Sequence, residues 1–168
     1  DNRLPVFSLY SYYKVGGKNE QKGITGASHF LEHLMFKGTA KHPQGEFSNV
    51  VTELGGQENA FTSMDYTAYF QQIERSKLAE VMRLEADRMN NLNFDDAEFA
   101  KEIQVVMEER RLRTEDKASG LLYENLMATA FKATPYRHPI IGWMNDLENM
   151  VPNDARQWYR DWYAPNNA

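Results

Sequence analysis

The sequence predicts an α+β domain, an antiparallel sheet with helices packed on one face. Three observations lead there. The chain opens on a run of β-forming residues, a hairpin pattern follows at 57–73, and the second half reads almost wholly as helix. Val6 to Val15 is rich in β-formers and alternates in part, which predicts a strand ended by Gly16-Gly17. A polar loop runs to Gly26, the pattern turns helical from Ala27 to Phe36, and Gly38 closes it. Glu46 to Leu54 is a second short helix before Gly55-Gly56. Gln57 to Ser63 and Tyr66 to Ile73, joined at Met64-Asp65, form the expected hairpin. Ser76 is the expected N-cap of a helix to Asn90, with Leu78, Val81, Met82, Leu84 and Met89 as its apolar set. Further helices are predicted from Asp95 to about Thr114, Gly120 to Phe131, and about Asn153 to Tyr163. Thr134 to Pro139 reads as a proline-punctuated loop.

With 168 residues the chain has room for one ordinary domain, and 42% hydrophobic and 12% aromatic residues give it a core. The net charge of -5 comes from mixed signs, which excludes the basic footprint of a nucleic-acid binder. No apolar run approaches the roughly 18 residues of a membrane span. There is no cysteine, so disulfides and thiolate metal sites are excluded, and any metal must sit on His and carboxylate. Asp1 is not a methionine and the far end stops on loop-type residues, so the expectation is a piece of something longer.

His29-Phe-Leu-Glu32-His33 decides the chemistry. On a helix, His29 and His33 lie one turn apart on one face, so two imidazoles can reach one ion. Glu32 shares that face and can take a proton from a metal-activated water without being a ligand. Ala27, Phe30, Leu31, Leu34 and Met35 fall on the opposite arc, which is the expected core face. Two histidines leave zinc under-coordinated, since a catalytic site has three protein ligands plus water. The helix from Asp95 offers Glu102, Glu108 and Glu109. Glu102 and Glu109, seven apart, share a face with Val105 and Val106 between them.

Ser28-His-Phe-Leu-Glu-His-Leu-Met-Phe-Lys-Gly-Thr39 resembles the signature of the pitrilysin, insulysin and mitochondrial processing peptidase family, the inverzincins. Gly55 to Phe70 resembles the family's edge-strand hairpin. Glu102 to Glu109 resembles its distal-ligand helix, and Trp158 to Asn167 the end of its helical segment. The resemblance implies the mitochondrial processing peptidase-like fold, truncated at both ends, as one incomplete N-terminal zinc-binding domain over residues 1–168. It implies one Zn2+ per chain on His29, His33 and Glu109, with Glu108 the next candidate, and Glu102 tuning the site behind the ligands. His42 and His138 match no ligand position.

The implied activity is zinc-dependent endopeptidase cleavage of unfolded peptides or oligopeptides through a zinc-activated water, with Glu32 as general base. Substrate is implied to add as a strand along Asn59, Ala60 and Phe61, with Thr62 beside them. An ordinary hairpin with Phe61 in the core is the plainer alternative for that segment. A second homologous lobe, or a partner subunit, is expected to supply an Arg-Tyr pair that nothing in these residues matches, so the chain alone is expected to be inactive. A non-catalytic assembly subunit on the same fold is the alternative function. The wording of the four blocks is closest to bacterial members, many of them exported, which makes the periplasm the expected compartment.

Overall fold

The computed structural model describes residues 4–168, so Asp1, on which the expectation of a longer chain partly rests, lies outside the described residues. Three strands, β1 (Val6–Tyr13), β2 (Gln57–Thr62) and β3 (Thr67–Glu74), form one antiparallel sheet in the order β1-β3-β2. Phe61 stands opposite Ala68, Asn59 opposite Phe70, and Tyr13 opposite Thr67. Among the described residues β2 pairs only with β3 and is an edge. Period-2 alternation divides the faces: Tyr69, Gln71 and Ile73 are buried, while Gln72 and Glu74 are exposed.

Seven helices are present among the described residues, and the first three pack on the sheet. They are α1 (Ala27–Leu34), α2 (Glu46–Glu53), α3 (Leu78–Asn91), α4 (Asp96–Arg110), α5 (Ala118–Ala130), α6 (Met144–Asn149) and α7 (Pro152–Trp162). The α+β architecture read from the sequence is therefore the one observed. Phe30, Leu31 and Leu34 of α1 meet Tyr13 and Tyr69 of the sheet, Phe99, Ile103 and Val106 of α4, and Trp158 of α7 in one core. Burial of such side chains stabilises by roughly 1.5–3 kcal/mol each. No helix is long and apolar enough to cross a membrane among the described residues.

Two local expectations need correction, and two short elements lie beyond them. Ser76 is not the N-cap of α3. It sits in a 3-10 turn, Arg75–Lys77, where the Glu74 carboxylate accepts from Ser76 N at 3.0 Å and from its hydroxyl, and α3 starts at Leu78. A carboxylate two residues earlier outcompetes the serine hydroxyl as acceptor for the free N–H groups. The helix from Asp95 does not stay α-helical to Thr114: α4 ends at Arg110 and continues as a π-helical turn, Arg111–Glu115. Asp95 does cap it, accepting from Glu98 N at 2.7 Å. Within the Thr134–Pro139 loop, Pro135–Arg137 forms a 3-10 turn. Finally, α6 was not expected at all, and it anchors the α1 entry.

Asp146 on α6 accepts from Thr25 N at 3.2 Å and Thr25 Oγ1 at 2.6 Å, while Trp143 N donates to the same hydroxyl. Gly26 and Gly142 touch here, each with positive φ (88° and 89°). A Cβ on Gly26 would lie 2.6 Å from the Ile141 carbonyl oxygen, and one on Gly142 would lie 2.4 Å from that of Thr25. Conformation and space both require glycine at this crossing.

Candidate metal centre

α1 is fixed before any chemistry is placed on it. Its unsatisfied N-terminal N–H groups are met by the buried Glu20 carboxylate, which accepts from Gly26 N at 2.7 Å and Ser28 N at 2.8 Å. Burial nonetheless pushes the Glu20 carboxyl up to about 7. The apolar arc read from the sequence is buried as expected, which turns His29, Glu32 and His33 towards a cleft of about 720 Å³.

α4 brings Glu102 and Glu109 against that face. His29 Nε2 lies 3.6 Å from Glu109 Oε1, and His33 Nε2 lies 3.3 Å from Glu109 Oε2. The other nitrogen of His33, Nδ1, is 2.8 Å from Glu102 Oε1, and Lys37 Nζ stands 2.5 Å from Glu102 Oε2. Glu102 therefore orients His33 from behind, and Lys37 balances its charge. Glu32 lies on the cleft side, where its carboxylate accepts a hydrogen bond from the Thr62 hydroxyl on β2. Arg113, on the π-helical turn, places a guanidinium nitrogen 2.5 Å from Glu109 Oε1.

These contacts set the protonation states. Burial, helped by His33, lowers His29 to about 4 and keeps its imidazole neutral. Burial also lowers His33, but hydrogen bonds to Glu102 and Glu109 outweigh it and raise the ring to about 9. The His33 bond takes Glu102 to about 2 and pulls Glu109 down. Burial raises the Glu32 carboxyl, the direction a proton acceptor near neutral pH needs.

One donor atom each from His29, His33 and Glu109 lies within 4.8 Å of the other two. Donors about 2.0–2.1 Å from a tetrahedral ion stand about 3.4 Å apart. His33 Nε2 stands 3.3 Å from Glu109 Oε2 and His29 Nε2 stands 3.6 Å from Oε1, so each histidine is near that spacing from one oxygen of the carboxylate. Two imidazole nitrogens and a carboxylate, opening on a cleft, fit zinc with one position left over.

The remaining expectations fall as follows. Asn59, Ala60 and Phe61 all line the cleft. Phe61 does not fill the core: it is 36% exposed, because alternation on β2 sends Ala60 inward and Phe61 outward. Glu108 points away and pairs with Arg111 at 3.0 Å. His42 pairs with Glu46 at 3.1 Å, and His138 lines the cleft; neither joins the donor group among the described residues. The sequence reading missed Lys37, Arg113, Glu20 and Asp146. Of these only Arg113 left a signal, its i,i+4 spacing from Glu109.

An inverted His-x-x-Glu-His helix crossed by a glutamate-bearing helix, on an antiparallel sheet, defines the class of inverted-motif zinc metallopeptidase domains. The chain belongs to the insulinase family, peptidase family M16, whose model matches residues 9–143. It is 40% identical over 168 residues to the zinc protease PqqE of Helicobacter pylori, covering 100% of this chain and 38% of that protein. The crystal structure of a protease from Helicobacter pylori superposes with a TM-score of 0.95 at 40% identity, over 98% of this chain and 40% of that one. The first half of the periplasmic protease PqqL of Escherichia coli superposes with a TM-score of 0.86 at 26% identity, over 98% of this chain and 36% of that one. The chain thus spans about two fifths of the length of the relatives it matches.

Proposed function

We propose that this chain is the metal-binding, water-activating domain of a zinc endopeptidase that cleaves extended peptides. One observation carries the reading: donor atoms of His29, His33 and Glu109 converge beside Glu32 in a cleft bordered by the free edge of β2. Zinc held there supplies a Lewis acid that lowers the pKa of a water to about 7. Glu32, with its carboxyl raised by burial and aimed by Thr62, accepts the water's proton and returns it to the leaving amine. Glu102 accepts from His33 Nδ1, which leaves Nε2 directed at the metal position.

The backbone of Asn59, Ala60 and Phe61 lies on an edge that no other strand pairs among the described residues, and an incoming strand would compete with Asn59 Oδ1 for the Ala60 N–H; such backbone pairing adds affinity without itself reading side chains. In this reading residues 1–168 form one N-terminal domain. A second homologous lobe or partner subunit supplies the Arg-Tyr pair that polarises the carbonyl. Exclusion of water by that lobe strengthens every charge interaction in the cleft.

Metal content tests the ligand set. The wild type is expected to hold one zinc per chain after dialysis, and His29→Ala, His33→Ala and Glu109→Gln a small fraction of it. Full zinc occupancy in those three variants would reject the assignment. Glu102→Gln is expected to keep the stoichiometry and weaken zinc affinity roughly 10–100-fold, as removal of a ligand's orienting partner does.

A further inference from the structure

We propose that the cleft selects peptides with acidic side chains beside the bond cut, an inference that rests on the peptidase reading above. Across from β2, the cleft wall consists of the π-helical turn Arg111–Glu115, α5 and the segment from Tyr136 to Ile141. Three carboxylates and two guanidiniums line the whole cleft. Glu32 and Glu109 belong to the metal centre, where a doubly charged ion balances them. Glu124 is neutralised within the fold, since Arg110 holds both its oxygens at 2.7 and 3.0 Å. Arg113 and Arg137 remain.

Arg113 lines the cleft, is 70% exposed in its side chain and gives one nitrogen to Glu109 Oε1, which leaves guanidinium donors over for a ligand. Arg137 is exposed, and its one side-chain hydrogen bond among the described residues is a 3.4 Å contact to the Lys132 carbonyl oxygen. Its turn is fixed in place: the Tyr136 hydroxyl meets both Asp65 oxygens, at 2.7 and 2.8 Å, which ties the turn to the β2–β3 hairpin. The surrounding wall is apolar, with Met64, Met127, Ile140 and Ile141. A substrate carboxylate on this wall meets a guanidinium fork of matching geometry, and a substrate ammonium meets like charge.

The chain's net charge of -5 acts in the opposite sense, towards repelling an acidic peptide. At physiological salt, however, charges are screened beyond about 8 Å. Two cations lining the cleft therefore outweigh a diffuse excess of surface carboxylates.

The test uses the full-length protein and quenched peptides of one apolar frame that carry Asp, Ala or Lys on either side of the cleavage point. The Asp peptides are expected to exceed the Lys peptides in kcat/KM by about threefold or more, the size of effect that solvent-exposed ion pairs give. Added salt should shrink that ratio, and Arg137→Glu should reverse its direction. Arg113→Gln should weaken the preference, with zinc content measured because Arg113 touches Glu109. A second arm measures fluorescence anisotropy of the same peptides, labelled, on zinc-loaded Glu32→Gln protein.

Cleavage without charge preference, or with preference for Lys, overturns the inference and leaves the peptidase reading standing. Failure to cleave any peptide counts against the peptidase reading instead. The binding arm still decides the inference in that case: tighter binding of Asp peptides supports it, and equal or weaker binding overturns it.

Discussion

Helices α1 and α5 both line the cleft, yet their surroundings differ completely. Every apolar residue of α1, from Ala27 to Leu34, is buried, and its N-terminus is held by Glu20. α5 has no buried residue and exposes Leu121, Leu122, Tyr123 and Leu126, with Leu122 at 71%. In the proposed reading the difference separates two jobs. Metal ligands must be held to within fractions of an ångström, which core packing on all sides provides. A surface meant to meet a large, variable or separately folded body must stay open and apolar.

The largest effect is expected at Glu32. In the full-length protein, Glu32→Gln should retain zinc and lose turnover by roughly 10²–10⁴-fold, the contribution of a general base. Near-normal turnover in steady-state assays would show that α1 holds a metal without performing the proton transfer. On the packing side, Phe30→Ala removes a ring that is fully buried and packed edge-to-face on Phe99 at 5.0 Å. Urea denaturation should show a cost of about 3–5 kcal/mol.

Glu20 gives the pH dependence. Its folded value of about 7 stands above the ordinary 4.5, so between those values the folded chain keeps a proton that the unfolded chain releases. The contribution is full below pH 4.5 and is lost as pH rises through about 7, on the order of 3 kcal/mol over the window. Denaturation at several pH values with chelator present should show that slope in the difference between the wild type and Glu20→Gln, because His29, lowered to about 4, contributes the opposite slope to both proteins. The smallest effect belongs to α5. Leu122→Ala should change stability by less than about 0.5 kcal/mol, and a loss comparable to that of Phe30→Ala would erase the contrast.

α1 was legible because its function is written in helical spacing: His29, Glu32 and His33 share one face and the apolar residues the other. The β2–β3 hairpin and β1 were legible from alternation in the same local way. What brings α4 across α1, and so Glu102 and Glu109 to His33, is packing between residues some 70 positions apart, which no window of sequence contains. α6 escaped notice because six residues make too little period to detect, and its Asp146–Thr25 contact spans 121 positions. α5 was legible as a helix, but a helix apolar on most sides gives no indication of whether those sides are covered.

The contact of Gly26 with Gly142 has a consequence for mutational surveys. Any side chain at either position must displace a carbonyl of the other segment, and the segment at Gly26 is the hinge pin of the histidine-bearing helix. In a saturation screen scored on turnover, both glycines would therefore rank with the proposed ligands His29, His33 and Glu109 although neither has a side chain to offer a metal. Only a separate measure of fold integrity would tell the two kinds of essential position apart.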